Sequence, residues 1–130
     1  MMVAEKPSIA KTISHALSNS PKENRGIHKP CPIWTFDGQF KNFPATFKVT
    51  SVAGHMFSRD FPKDLNMRRN LDPKELFDAE TVSIPQSGAM CKHIEVVSQG
   101  VDILCLWLDC DKEGENICFE VIQQCRRNLP

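Results

Sequence analysis

Tyrosine is absent from all 130 residues, so the chain has no phenol oxygen to serve as a nucleophile. Surplus charge is missing too: sixteen Lys and Arg balance sixteen Asp and Glu, for a formal net charge of zero. That removes the global signature of a nucleic-acid binder and leaves only the option of a local basic face. Two loose basic runs, Lys22, Arg25, His28 and Lys29, then Lys63, Arg68 and Arg69, read as solvated loops. No long apolar stretch is present. The longest, Val101 to Leu108, is interrupted by Asp102 and falls well short of the roughly 20 residues of a membrane span. The start of the chain shows no secretory pattern. Six cysteines include no C-x-x-C pair, which argues against zinc, and three of them sit within apolar patterns. They are expected to be reduced core thiols, as in a cytosolic or nuclear protein.

What is there suits one α/β domain over residues 1–130. Met1 to Ala4 reads as a short strand, followed by a turn and a helix with Ile9, Ile13 and Leu17 at helical spacing and Pro7 in its first position. Ser18 to Pro32 is polar with three prolines and reads as a loop. Ile33 to Phe40 and Ala45 to Val52 carry the aromatic and β-branched residues of a hairpin, with its turn near Lys41 to Pro44. Gly54 to Asn70 reads as irregular, and Pro73 to Phe77 as one helical turn. After a breaker at Pro85 to Gly88, Met90, Ile94 and Val97 predict a short helix ending at Gly100. Ile103 to Leu108 has the unbroken apolar character of a strand covered on both faces. A last helix is expected from about Gly114, burying Ile117, Cys118, Val121, Ile122 and Cys125. Two strand-to-helix units therefore frame an inserted hairpin, which predicts a parallel core flanked by helices.

The chemistry concentrates where the last strand ends, in Leu108-Asp109-Cys110-Asp111-Lys112-Glu113-Gly114-Glu115. Asp109 and Asp111, two residues apart, project to one side of an extended chain at the carboxyl edge, where ligands bind in open α/β sheets. Carboxylates gathered there repel one another, and a hard divalent cation relieves this, Mg²⁺ being the usual choice where phosphate is the substrate. The competing reading is a polar turn whose acids cap the helix. Spacing alone leaves metal ahead of the cap. Glu5 ends the other apolar strand. Were the two strands neighbours, the charges of Asp109 and Asp111 would favour its protonated form and suit it to donate a proton to a leaving oxygen. Lys6, at a helix N-terminus, suits a phosphate oxygen.

Met2-Val3-Ala4-Glu5-Lys6-Pro7-Ser8-Ile9-Ala10 resembles the opening motif of type IA DNA topoisomerases. Trp107 to Phe119 (WLDCDKEGENICF) resembles their acidic motif, and Thr50-Ser51-Val52-Ala53-Gly54-His55 with Asp60-Phe61-Pro62 is similar to their Gly-His segment. Leu108, Lys112 and Cys118 lean towards the beta class of topoisomerase III. The resemblance implies a TOPRIM fold and a strand-passage enzyme, in which a tyrosine cleaves single-stranded DNA through a 5′-phosphotyrosyl link, a second strand passes and the break is resealed. It further implies that Asp109, Asp111 and Glu113 bind Mg²⁺, with Mn²⁺ as a substitute, that Glu5 protonates the leaving 3′-oxygen, that Lys6 contacts phosphate, and that His55 lies near the site. A nuclear enzyme, also present in cytoplasm, is implied, as are RNA strands as an additional substrate and a Tudor-domain partner.

The first strand is shorter than in that family, and the tyrosine and the domains that grip DNA are missing. These 130 residues are therefore expected to be a catalytically silent fragment. A stand-alone TOPRIM nuclease would use the same metal cluster to activate water. A receiver-like phospho-acceptor domain would also put Mg²⁺-binding aspartates at strand ends, and an interaction module with a vestigial site would bind no cation.

Overall fold

A computed structural model describes residues 1–67 and 70–129. Arg68 and Arg69, part of the second basic run, lie outside them. Among the described residues, seven strands and four helices follow in order: β1 (Met2–Ala4), α1 (Pro7–Leu17), β2 (Lys22–Asn24), β3 (Ile33–Phe40), β4 (Phe43–Ser51), β5 (Phe57–Asp60), α2 (Lys63–Asn66), β6 (Val82–Pro85), α3 (Gly88–Val97), β7 (Cys105–Trp107) and α4 (Lys112–Cys125), with a 3-10 turn at Pro73–Leu76. The main sheet runs β2-β3-β4-β1-β7, and β5 pairs with β6 in a separate ribbon.

The parallel core is β4-β1-β7, with Met2 opposite Val49 on one side and Cys105 on the other. β1 is central and wholly buried. Its alternation sorts side chains between two clusters: Val3 joins Ile94, Ile117 and Val121 under α3 and α4, whereas Met2 and Ala4 join Ala10, Trp34 and Val49 under α1. Helices thus cover both faces, as the two strand-to-helix units require. The hairpin β3–β4 forms as expected, but Lys41 and Asn42 alone make its turn, both at positive φ. Pro44 belongs to β4, opposite Gln39. β4 is also the parallel neighbour of β1, so the inserted hairpin supplies one of the three core strands.

Four local expectations differ. β2 lies inside the stretch read as a loop, and its polar residues pair with β3 through Lys22–Thr35, Glu23–Trp34 and Asn24–Ile33. The ribbon β5–β6 sets β5 in the stretch read as irregular and β6 among residues given no element; β6 is exposed along its whole length, and its Val82-Ser83-Ile84 alternation is too short to announce a strand. β7 is an edge strand, leaving Trp107 49% exposed. Its apolar run still meets the core on both faces, Leu104, Leu106 and Leu108 against one cluster and Cys105 against the other, so what differs is the open edge. Finally, α1 approaches the sheet through Ala10 and Ser14, while Ile9 and Leu17 are exposed. Small side chains permit that close approach, and the Ser14 hydroxyl is satisfied by donating to the Lys11 carbonyl at 2.8 Å.

Candidate functional site

All three parallel strands end at one edge, and each hands the chain to a loop carrying a predicted site residue. β1 delivers Glu5 and Lys6, β4 leads through Gly54 to His55, and β7 leads to Asp109, Asp111 and Glu113. Ala4 is level with Trp107, so Glu5 and Asp109 leave adjacent strands on the same side of the molecule. That arrangement was expected from the two apolar runs ending in acid.

Glu5 does not face bare negative charge. The Lys6 ammonium group lies 3.4 Å from Glu5 Oε1 and 3.8 Å from Asp109 Oδ2, bridging the loops after β1 and β7. Lys6 also occupies the N-cap position of α1 without a side-chain capping bond, because an ammonium group has no acceptor to offer the helix amides. Its side chain is therefore free to lean over the acids.

Asp111 caps α4, its Oδ1 accepting the Gly114 amide at 2.7 Å. Capping and ligation are compatible for a carboxylate, which has two oxygens. Gly114 is required on packing grounds: a Cβ there would run into the Asp109 carbonyl. The turn from β7 into α4 can close only around glycine, and this closure holds Asp109 and Asp111 at the sheet edge. Helix α4 begins at Lys112, a little earlier than expected. Cys118 and Ile122 are only partly covered, while Gly114 and Glu120 join Ile117, Val121 and Cys125 on the buried face.

His55 stands between two carboxylates. Its Nε2 is 3.2 Å from Glu113 Oε1 and its Nδ1 is 3.2 Å from Glu120 Oε1. The hydrogen bond to Glu120 raises its pKa above the usual histidine value; burial opposes this, and the charges of Glu120 and Glu113 reinforce it. Both carboxylates thus favour the imidazolium over the neutral ring.

The donor chemistry suits a hard cation: Asp109, Asp111 and Glu113 offer only oxygen, and Mg²⁺ takes one or two carboxylates and keeps several waters. Yet among the described residues no three His, Cys, Asp or Glu side chains converge as a ready metal cage. Lys6 holds Asp109, the α4 amide holds Asp111, and His55 holds Glu113. A cation binding here would displace or share these contacts.

Two residues escaped the sequence reading, Glu120 and Asn116. Their side chains meet across one turn of α4 at 3.2 Å, and Glu120 reaches the backbone amide of Met56 at 2.7 Å. The available signal was a carboxylate on the helix face that also carries Ile117 and Val121, a position where acids are rare unless paired.

The Toprim domain model matches residues 1–130. The chain belongs to the Toprim domain family. Among similar proteins, this Toprim domain is 45% identical over 126 residues to DNA topoisomerase 3-beta of Arabidopsis thaliana, and 42% identical over 126 residues to DNA topoisomerase 3-beta-1 of Homo sapiens. Identity to human DNA topoisomerase 3-alpha is 35% over 133 residues, in keeping with the lean of Leu108, Lys112 and Cys118 towards the beta class. These alignments cover 95%, 94% and 100% of this chain and 14%, 15% and 13% of the relatives. The chain therefore spans about a seventh of the length of the beta relatives.

Proposed function

We propose that this Toprim domain is the metal-binding part of a type IA topoisomerase of the topoisomerase III beta class, which cleaves, passes and reseals single DNA strands. The observation that carries the proposal is the meeting of Glu5 with Lys6 and the Asp109–Asp111–Glu113 turn at the carboxyl ends of adjacent parallel strands. The nucleophilic tyrosine is supplied by chain outside these residues, which contain none.

In cleavage the tyrosine oxygen attacks phosphorus, the bond to the 3′-oxygen breaks, and that oxygen needs a proton. Glu5 is placed to give it, with only 18% of its side chain exposed at the floor of the site. Lys6, now spanning Glu5 and Asp109, turns to a non-bridging phosphate oxygen when the strand enters, and the α1 N-terminus beneath it favours the same anion. Asp109, Asp111 and Glu113 would hold Mg²⁺, or Mn²⁺ in its place, which when bound would supply positive charge to offset that of the phosphate. Resealing reverses the proton transfer, with Glu5 accepting it from the 3′-hydroxyl.

The class further suggests RNA strands as a second substrate, a Tudor-domain partner, and a nuclear location extending to the cytoplasm. The test uses single-stranded and negatively supercoiled DNA with Mg²⁺ and the purified chain. Neither cleavage nor covalent adduct nor relaxation is expected, because nothing attacks the phosphate. Metal-dependent cutting abolished by Asp109→Asn would replace this proposal with a water-activating nuclease.

A further inference from the structure

Glu120 is 8% exposed on the apolar face of α4, and a carboxylate there is costly unless its oxygens are occupied. They are occupied four times over. Oε2 accepts the amides of Met56 at 2.7 Å and Phe57 at 3.4 Å, and Oε1 meets His55 Nδ1 and Asn116 Nδ2, each at 3.2 Å. The partners come from the loop after β4, from the start of β5 and from α4 itself. A purely structural tie between loop and helix would need only the backbone amides.

The ring contact has a defined sense. The Asn116 amide nitrogen is turned towards Glu120 Oε1 and lies 3.5 Å from His55 Nδ1. A carboxylate only accepts, so the hydrogen of the Nδ1–Glu120 contact belongs to the imidazole; Glu113 asks the same of Nε2, but its side chain is 70% exposed against 10% for Glu120, so the buried partner holds its hydrogen when the ring is neutral. The opposite nitrogen, Nε2, then faces Glu113 among the metal-site acids. A carboxylate behind a histidine is a recurrent way of fixing which ring nitrogen is presented to a site.

We propose that Glu120 is a positioning residue: it holds His55 by Nδ1–H and so aims Nε2 at the acidic mouth, where a backbone phosphate of the bound strand would lie. The destination of Nε2 rests on the function proposed above, whereas the orientation of the ring stands on Glu120 alone. With Glu113 drawn towards a cation, Nε2 would be left facing the phosphate, and the charged ring would donate its Nε2–H to one of the phosphate oxygens. Gly54, at φ +91° immediately before the histidine, lets the chain turn sharply enough to bring His55 and Met56 together onto the one carboxylate.

The test is a long-range proton–nitrogen correlation spectrum of the histidine-labelled chain in alkaline solution, where the rings are neutral, recorded with and without Mg²⁺. The wild-type chain is expected to show His55 in the Nδ1–H form. Glu120→Ala is expected to return it to the Nε2–H form that unconstrained imidazole prefers. If that variant does not fold, Glu120→Asp serves instead, since it keeps the charge but withdraws it from the ring by one methylene. The proposal is overturned by an Nε2–H form in the wild type, or by an Nδ1–H form that persists in a folded Glu120 variant. A role limited to holding the loop would leave the ring form unchanged. Adding Mg²⁺ separates the two claims: a chain that shows the Nδ1–H form yet binds no Mg²⁺ sustains the role of Glu120 and overturns the metal-site proposal.

Discussion

The β4-β1-β7 core and the β5–β6 ribbon are built from the same kind of element but stand in different physical situations. β1 is fully buried between two helical layers, while every residue of β6 is exposed. The ribbon joins the core where Phe57, at the start of β5, packs against the cluster that holds buried Met56, and where the amides of Met56 and Phe57 reach Glu120. The core fixes the edge at which Glu5, Lys6 and the acidic turn meet. The ribbon depends on that edge, because the carboxylate that anchors it also holds His55.

The largest test of this contrast is a pair of truncations. Ile94→Ala, at a position of no exposure on the buried face of α3, is expected to cost about 2–5 kcal/mol in denaturant unfolding. Ile84→Ala, on the open face of β6 at 38% exposure, is expected to cost less than about 1 kcal/mol. Equal losses would show that the ribbon packs as an integral part of the core.

A second test is acid stability, which also reports on the core. His93 is fully buried and its pKa is lowered to about 4, first by burial and then by the positive charge of His28. The unfolded chain binds this proton near pH 6.5 and the folded chain only near 4, so stability is complete above 6.5 and falls as pH drops through that window. The loss amounts to roughly 3 kcal/mol once the window is crossed. Titration of His93 by proton resonance near 6.5 in the folded chain would contradict this. A smaller effect than that of His93 is expected at the junction of the two regions: Gly54→Ala, with open space around the new methyl group but φ at +91°, should cost about 1–2 kcal/mol in thermal unfolding.

The same contrast explains what could be read from the sequence. β1, the β3–β4 hairpin, α3 and α4 announce themselves because burial imposes a period on their apolar residues, as in Met90, Ile94 and Val97. β2 and β6 are held by backbone pairing with few buried side chains: Lys22, Glu23 and Asn24 carry no such period, and the alternation of Val82 and Ile84 is too short to show one. β7 was visible as a strand but not as an edge, since an apolar run does not reveal how many neighbours cover it. At the site, the edge shared by Glu5, Asp109 and Asp111 was legible from two strands ending in acid. Glu120 was not, because its partners are backbone amides more than sixty residues away in sequence.

The central claim, that the turn after β7 is a metal site as well as a helix cap, is tested most directly with Mn²⁺. Trace Mn²⁺ added to the nitrogen-labelled chain should broaden the backbone amides of residues 5–6 and 109–114 before any others. In Asp111→Asn, whose asparagine still caps α4, the same broadening should require about ten times more cation, because a charged ligand is gone. Broadening that is spread over the surface acids, or that is unchanged in Asp111→Asn, would contradict the account and leave Asp111 as a cap alone.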